Sequence, residues 1–325
     1  MIPTRDARSL LLEALTSLAG QTVDHDVVVV DNASSDGTAA AVAERFPEVR
    51  VVRSEENLGF GRAVNRGVET VDTPIVILVN NDVVCEPDFV ERMLAPFADD
   101  RVGLVAGVLL QHDAPELVDS AGIELDPTLR SWDRLWNRPA AELADGAPLG
   151  PCGGAAAYRM RAWREVGGFD DAFFAYWEDV DLALRLRLAG WSCAFAGDAR
   201  VLHKHGQTLG AASPAQRRLE AFGRGFVLAR YRVGGLGLAT RLQIAALDWP
   251  VLAVHLLVRR EAGPIRERRR GRRVGLSRPA LRPPVELASV SFGEALRRQA
   301  NQLSLRFSGG LPTHFHQSAR ASADH

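Results

Sequence analysis

Cysteine is scarce in this sequence, and lysine is scarcer still. The three cysteines, Cys85, Cys152 and Cys193, are odd in number and far apart, and Lys204 is the only lysine. The cysteines therefore offer neither a disulfide framework nor a Cys-x-x-Cys metal site, which fits a reducing cytosol. Residues 1–15 carry Arg and Asp where a secretory signal needs an apolar core, so we do not expect secretion by that route. With 46% apolar and 24% charged residues, the 325-residue chain is typical of a globular protein and is neither collagen-like nor disordered.

The chain has no large excess of charge of either sign, which argues against a dedicated nucleic-acid binder. Its net charge of −1 nevertheless hides an asymmetry. Residues 1–213 carry 19 Lys and Arg against 33 Asp and Glu, a net charge of −14, whereas residues 214–325 carry 20 against 7, a net charge of +13. We therefore expect an acidic domain over 1–212, able to hold a metal, and a basic region over 213–325, able to meet phosphates or an anionic surface. The polar tail from about residue 308 is predicted to be disordered.

Apolar runs in the first part predict an α/β fold. Four runs lack polar alternation, as strands buried on both faces do, and they are Val27–Val30, Val49–Val52, Ile75–Val79 and Val102–Leu110. Segments with helical patterns alternate with them, namely Ser9–Leu18, Thr38–Phe46, Arg62–Val71 and Pro87–Phe97. Met1–Thr4 would be the tail of a first central strand. This order predicts an open sheet whose ligand loops lie at the C-terminal ends of the strands.

Two loops at predicted strand ends carry polar side chains suited to a nucleotide. Asp31 follows the first run, where its carboxylate can accept hydrogen bonds from a base or a ribose, whereas helix capping explains the Ser, Asp and Thr that follow it. The second loop contains Gly-Phe-Gly, but Val64 stands where a third glycine would complete a dinucleotide fingerprint, so a Rossmann dehydrogenase is only a minor alternative. Asn57 and Arg62 in this segment are predicted to line the nucleotide side of the cleft; a purely structural role is the alternative.

The third predicted strand ends in Asn80-Asn81-Asp82. A carboxylate at the end of an apolar strand must be solvated, paired or bound to a cation, because burying a bare charge is costly. Mg²⁺ and Mn²⁺ prefer few protein oxygens and take their other ligands from phosphates and water. Asp82 is therefore a candidate for holding a metal that bridges a diphosphate, although the tripeptide alone could equally be a turn.

The segment Gly167–Trp191 is the most distinctive stretch of the chain. Glu178, Asp179 and Asp181 crowd the first turn of a predicted helix, where negative charge also compensates the helix dipole. A carboxylate directed into the cleft can act as a general base on a hydroxyl. The small residues at 152–156 leave room for a sugar or a phosphate to approach the backbone. His203-Lys204-His205 follows a short apolar run, and neutral imidazole is a common metal ligand.

Taken together, these motifs resemble the family 2 inverting glycosyltransferases of the GT-A fold, in particular the rhamnosyltransferase-like members, over about residues 2–210. The strings DNASSDGT, ENLGFGRAVNRG, Asn-Asn-Asp and GGFD…ED-x-D carry the resemblance. It implies a GT-A-type open, mostly parallel sheet flanked by helices, here with a C-terminal helical basic extension. For the site, it implies a catalytic base, a divalent metal (Mg²⁺ or Mn²⁺) and a donor nucleotide sugar. The resemblance implies that Asp179 is the base, that Asp82 with His203 or His205 holds the metal, and that Thr4 and Asp31 contact the nucleotide. From the residues themselves we also expect Asn57, Arg62 and Asn81 on the donor side, and Gly153, Gly154 and Glu178 on the sugar and acceptor side.

The implied activity is transfer of a rhamnose-like or other hexose from a dTDP- or UDP-linked donor to a hydroxyl of a glycan or polyprenyl-linked acceptor, in cell-envelope polysaccharide synthesis. A sugar-nucleotide nucleotidyltransferase and a non-catalytic scaffold of a synthase complex are the alternatives, and neither nucleic acid nor a secreted location is expected. The apolar segment 236–258 contains Arg241, Asp248, Pro250 and His255, too many interruptions for a clear membrane span, and eight Arg follow it within residues 259–273. This pattern fits a cytoplasmic protein lying on the inner face of the membrane, and equally a helix packed on its own domain.

Overall fold

The first part of the chain alternates strands and helices, as the apolar runs predict. The computed structural model describes residues 1–204, 213–282 and 285–307, so His205 and the predicted tail lie outside the described residues. The first elements are β1 (Ile2–Thr4), α1 (Arg8–Ala19), β2 (Val28–Asp31), α2 (Thr38–Arg45), β3 (Arg50–Arg53), α3 (Phe60–Val68) and β4 (Ile75–Val79). β1, β2 and β3 form a parallel sheet in which Thr4 is the register partner of Asp31. β3 is its edge strand, with exposed and half-buried side chains, so the prediction that this strand is buried on both faces is wrong.

The second sheet is mixed rather than mostly parallel. The chain continues with β5 (Val83–Cys85), α4 (Phe89–Leu94), β6 (Val102–Gln111), β7 (Ala114–Ser120), β8 (Ile123–Leu125), β9 (Ser131–Asp133), β10 (Ala155–Arg159), α5 (Met160–Val166), α6 (Glu178–Leu188) and β11 (Ser192–His203). The strand order is β4-β10-β6-β11-β5, with β7 beside β6. In this sheet β6 and β11 form the parallel pair. β10 runs antiparallel to both β4 and β6. The α/β class is confirmed, whereas the pairing of this half of the sheet differs from the expectation.

β6 is the central strand of this sheet and is buried along its length. All its side chains are buried except that of Gln111, which is half-buried. Helices cover both faces of the sheet, and two apolar clusters fill the interior on either side of it. The polar loops at the strand ends are therefore held by a closely packed layer.

Helices account for most of the basic region, and they continue well beyond residue 260. They are α7 (Pro214–Arg230), α8 (Leu238–Ala253), α9 (Gly263–Ser277) and α10 (Phe292–Phe307). α7 and α9 cross at very short range, because a Cβ atom on Gly271 would lie 2.0 Å from the backbone oxygen of Phe222. Phe222 and Phe226 of α7 pack with residues of α6 in one apolar cluster. The basic region, predicted to begin at residue 213, thus shares an apolar core with the acidic region that precedes it.

α8 is more continuous than its interrupted sequence suggests. It runs into a π-helical turn at Val254–Val258, and the whole segment Leu238–Val258 is long and apolar enough to cross a membrane by length and composition. Only 17% of the most apolar part is buried. Most of this apolar surface is therefore not covered by the rest of the described chain.

Candidate active site

A cavity of about 850 Å³ opens between the C-terminal ends of the strands and the helices of the basic region. This volume lies towards the upper end of the range typical of small-molecule sites, about 300–1,000 Å³. Nine of the residues singled out in the sequence line it: Thr4, Asn57, Asn81, Asp82, Gly153, Gly154, Glu178, Asp179 and His203. Side chains spread over some 200 positions of the chain thus meet around one space.

The wall on the side of β1 and β2 is a network of amides. Asn81 donates a hydrogen bond from Nδ2 to Thr4 Oγ1 at 2.9 Å. Asn32 donates from Nδ2 to Asn57 Oδ1 at 3.0 Å and accepts the backbone N–H of Leu58 at 2.8 Å. These bonds tie the end of β1 to the loop after β4, and the loop after β2 to the loop after β3.

Two residues predicted to contact the nucleotide do not line the cavity. Asp31 is fully buried, its Oδ1 accepts the backbone N–H of Ser34 at 2.9 Å, and its Oδ2 lies 3.4 Å from Nε of Arg53. Arg62 lies on the exposed face of α3. Asp31 thus fixes the backbone of the loop that follows β2. Arg62 is exposed and lies outside the set of residues that line the cavity.

A His-carboxylate arrangement lies at the ends of β4 and β11. His203 Nε2 lies 3.4 Å from Asp82 Oδ1, and His203 Nδ1 lies 2.5 Å from Asp119 Oδ2. Although burial lowers the pKa of His203, the neighbouring carboxylates of Asp119 and Asp82 raise it to about 10. Asp82 Oδ1 is buried without a hydrogen-bond partner among the described residues. A buried carboxylate oxygen beside an imidazole nitrogen fits a divalent cation, and the side chain of Asp119 suits the role of orienting that imidazole.

These side chains do not by themselves form a complete metal cage. Residues 1–204, 213–282 and 285–307 contain no group of three or more His, Cys, Asp or Glu side chains that could hold a metal ion. Mg²⁺ is commonly held by only one or two carboxylates, with substrate phosphates and water completing the shell. A pair such as Asp82 and His203 therefore fits a metal that arrives with a diphosphate.

The start of α6 directs two carboxylates into the cavity. Tyr176 and Trp177 both have positive φ angles, 66° and 75°, in the left-handed region that such residues rarely adopt. This turn brings Glu178 and Asp179 to the cavity wall. Asp179 Oδ1 accepts the backbone N–H of Val180 at 2.8 Å, and its Oδ2 lies 3.4 Å from the backbone N of Gly153. The glycine loop and the carboxylate are thus neighbours.

Burial makes both carboxyl groups hold their protons more tightly than usual. Burial, with the nearby Asp179 carboxylate, raises the pKa of Glu178 to about 8. Burial also raises the pKa of Asp179, against the opposing effect of the backbone N–H groups of Val180 and Gly153. Near neutral pH, Glu178 is therefore mostly neutral. Asp179 is the better candidate for a proton acceptor in this pair.

The third acidic residue of this turn has a structural role. Asp181 is fully buried and accepts hydrogen bonds from Arg185 at 2.8 Å, from Arg230 at 3.0 Å and from the hydroxyl of Tyr231 at 3.0 Å. Arg230 is the last residue of α7, and Tyr231 follows it directly. Asp181 therefore ties the helix that carries Asp179 to the basic region.

Several residues of the site carried no recognisable signal in the sequence. Asp119 is one of two acidic residues in β7, and only strand packing places it beside His203, 84 positions later. The basic region supplies Arg217, Arg224 and Arg268 to the cavity wall, together with Asp248 of α8. The charge asymmetry indicated that this region could meet phosphates, but it did not indicate which arginines.

Comparisons with known proteins agree with this architecture. The sequence model of the family described as "Glycosyl transferase family 2" matches residues 1–167. An N-acetylglucosaminyl-diphospho-decaprenol L-rhamnosyltransferase of Mycobacterium tuberculosis is 31% identical over 210 residues, covering 57% of this chain and 68% of the relative. An O-antigen chain rhamnosyltransferase of Salmonella typhimurium is 26% identical over 218 residues, covering 64% of this chain and 66% of the relative.

Solved structures show the same fold at low identity. A mannosyltransferase from Pyrobaculum calidifontis in complex with GDP-Man and Mn²⁺ aligns with a TM-score of 0.53 at 19% identity, covering 99% of this chain and 78% of that one. GalNAc-T7 with UDP, GalNAc and Mn²⁺ aligns with a TM-score of 0.59 at 14% identity, covering 86% of this chain and 54% of that one. At these identities the likeness concerns the fold.

Proposed function

The chain belongs to glycosyl transferase family 2 and is a glycosyltransferase of GT-A fold, and from that premise we propose that it transfers a hexose from a nucleoside-diphosphate sugar to a hydroxyl group with inversion at the anomeric carbon. The observation that carries the proposal is that Asp179, Asp82 and His203 line one cavity with the amide wall of Thr4 and Asn81. The scaffold and nucleotidyltransferase alternatives are not favoured, because the sequence comparisons lie among sugar-transferring enzymes.

The names of the relatives support a narrower proposal for the substrates. Two of them are rhamnosyltransferases, one of which acts on a diphospho-decaprenol acceptor and the other on an O-antigen chain. We accordingly propose a dTDP- or UDP-linked rhamnose or similar hexose as donor. We propose a glycan or polyprenyl-linked acceptor, in the synthesis of a cell-envelope polysaccharide.

We propose Asp82 and His203 as the protein ligands of a divalent metal, Mg²⁺ or Mn²⁺. The unpartnered Oδ1 of Asp82 and its position beside His203 Nε2 support this choice. When bound, such a metal supplies positive charge that stabilises the departing nucleoside diphosphate. His205, the other predicted ligand, lies outside the described residues.

Asp179 acts as the general base in the proposed reaction. It accepts the proton of the acceptor hydroxyl while the hydroxyl oxygen forms a bond to the anomeric carbon. The bond from that carbon to the diphosphate oxygen breaks in the same displacement, and the nucleoside diphosphate leaves with the electron pair. Attack opposite the leaving group inverts the configuration. Glu178 is mostly neutral near pH 7, partly because the Asp179 carboxylate raises its pKa, and we therefore assign the role of base to Asp179.

We also propose that the enzyme works at the cytoplasmic face of the membrane. Leu242, Trp249 and Leu257 in the α8 segment are 62%, 69% and 79% exposed. α9 follows at once with a row of exposed arginines, including Arg266, Arg269 and Arg272. An apolar face beside a polybasic one is typical of a segment that lies on an anionic lipid surface.

Two substitutions test the proposed reaction. Asp179→Asn should lower sugar transfer at least ~100-fold, the usual contribution of a general base, while calorimetry shows donor affinity close to that of the native protein. Asp82→Ala should weaken donor binding in the presence of Mn²⁺ but not in its absence. Asp145→Asn, an exposed position away from the cavity, is the control. Transfer by Asp179→Asn at near native rate would refute the assignment of the base.

A further inference from the structure

The cavity continues beyond the proposed catalytic residues to a wall built by the basic region. Arg224 of α7 lies 3.3 Å through Nε from Asp248 Oδ1 of α8, and Arg130, just before β9, lies 3.9 Å through Nη1 from the same oxygen. Arg268 of α9 donates to the other oxygen of Asp248. We call Arg130, Arg224 and Arg268 the arginine wall. Three guanidinium groups thus surround one carboxylate and line the cavity.

The arginine wall carries more positive charge than Asp248 can neutralise. Asp126 and Glu220 also attract Arg130 electrostatically. The oxygens of Asp126, however, already accept the N–H groups of Thr128 and Trp132. Burial, followed by the neighbouring charge of Arg224, lowers the pKa of Arg130 to about 10, against the opposing effect of Asp248, Asp126 and Glu220. Buried cations in excess are stabilised by a bound anion.

The exposed parts of the wall are placed to meet a ligand. Arg224 and Asp248 are almost completely buried, whereas the side chains of Arg130 and Arg268 keep 19% and 21% of their surface exposed. The planar fork of arginine matches the oxygens of a phosphate group in a bidentate manner. A diphosphate offers enough oxygens to engage both side chains at once.

The two faces of the α8 segment indicate what kind of molecule would carry the diphosphate. Its inner face contributes Asp248, Leu252 and His255 to the cavity. On the outside, Leu242, Trp249 and Leu256, each two turns from the next, are 62%, 69% and 47% exposed. The α8 segment thus separates the cavity lined by the arginine wall from an apolar outer surface. This combination suits an amphiphile whose charged head enters the cavity while its hydrocarbon chain stays outside.

We infer that the arginine wall binds the diphosphate of a lipid-linked acceptor and so presents the acceptor sugar to Asp179. The inference rests on the proposed function and extends it by naming the acceptor's anionic group and the residues that hold it. The donor diphosphate has a separate place beside Asp82 and His203. Asn57, beside the proposed donor site, and Arg268 both line this cavity of about 850 Å³.

The test compares two acceptors that share a sugar and differ in charge. One is the sugar linked through a diphosphate to farnesol, and the other is its uncharged octyl glycoside. Arg268→Gln should lower kcat/KM for the diphosphate-linked acceptor at least ~10-fold and leave that for the octyl glycoside within about twofold, since charged hydrogen bonds are lost only with the former. Arg268→Lys should restore part of the loss. Arg218→Gln, an exposed arginine of α7 outside the cavity, should change neither.

A binding measurement locates the anion without relying on turnover. Farnesyl diphosphate should bind the native protein in the presence of saturating nucleoside diphosphate and Mn²⁺, and Arg130→Gln and Arg268→Gln should each weaken that binding. Farnesol should not bind comparably. Loss of farnesyl diphosphate binding when the nucleotide is present would place the anion at the donor site and overturn the inference, as would equal losses on both acceptors.

The same measurements separate this inference from the proposed function. A native protein that transfers sugar to neither acceptor and hydrolyses no nucleotide sugar would contradict the proposed function. Farnesyl diphosphate binding that depends on Arg130 and Arg268 would still support an anion site at the arginine wall. Anionic phosphatidylglycerol vesicles serve as competitors of labelled farnesyl diphosphate. If they displace it as effectively as unlabelled farnesyl diphosphate does, the arginine wall binds lipid headgroups in general, and the acceptor assignment is wrong.

Discussion

Replacing Glu178 by Gln should change how the stability of this enzyme depends on pH. Glu178 is 6% exposed, and its pKa is about 8 in the folded chain against 4.5 for an ordinary glutamic acid. Its folded state therefore binds a proton more tightly than the unfolded state, and the free energy of unfolding falls as pH rises from 4.5 through 8. At 1.36 kcal/mol for each pH unit, this difference amounts to about 5 kcal/mol in full. Such a loss is large beside a typical total stability of about 5–15 kcal/mol.

The glutamine variant keeps the shape of the side chain but cannot ionise. We expect it to match the native protein near pH 4.5 and to be more stable by several kcal/mol near pH 8 to 9. Urea unfolding at both pH values, with a chelator to remove metal, measures the difference. His203 contributes equally to both proteins and cancels from the comparison, whereas the interaction of Glu178 with Asp179 is part of the difference measured. Glu116→Gln, at an exposed position of β7, should behave like the native protein. Parallel pH profiles for the native protein and Glu178→Gln would refute the reasoning.

Two further predictions concern the basic region. Asp181→Ala should destabilise the fold by about 3–5 kcal/mol in urea unfolding, because Arg185 and Arg230 lose their shared buried carboxylate; a loss below ~1 kcal/mol would show that the network is not needed. Replacing Leu242 and Trp249 together by Ser should reduce binding to phosphatidylglycerol vesicles in a sedimentation assay without lowering the melting temperature, since both side chains are exposed. Leu94→Ser, at a half-exposed position on α4, is the matched control. Unchanged vesicle binding by the double variant would contradict the proposal that the α8 segment lies on the membrane.

The local pattern of the sequence was sufficient for much of the fold. Apolar runs identified β2, β4 and β6, because a strand buried on both faces leaves no polar alternation. The same pattern marked the strand ends, so Asp82 and Asn81 could be assigned to the ligand side before any pairing was known. It failed for β3, since an apolar run does not reveal that a strand lies at an edge.

Family membership, predicted from the joint occurrence of the motifs, is confirmed, whereas the individual site assignments stay predictions. Asn57 was assigned to the cleft from its loop alone and lines the cavity. Arg62 was assigned on the same grounds and is exposed, because the rotation of α3 decides which of its side chains face inwards. A spacing of residues predicts a helix, but not which face of that helix the neighbouring elements cover.

The sequence by itself determined the α/β class, the ends of the strands where polar residues gather, and the opposite charges of the two regions. Only the tertiary structure decided that β10 enters the sheet between β4 and β6 and that Asp119 faces His203. It also decided that arginines from three separate segments of the chain surround Asp248. The reason is physical: periodicity records the contacts of a residue with its near neighbours in the chain. The meeting of side chains a hundred positions apart depends on strand order and helix packing, which no local pattern encodes.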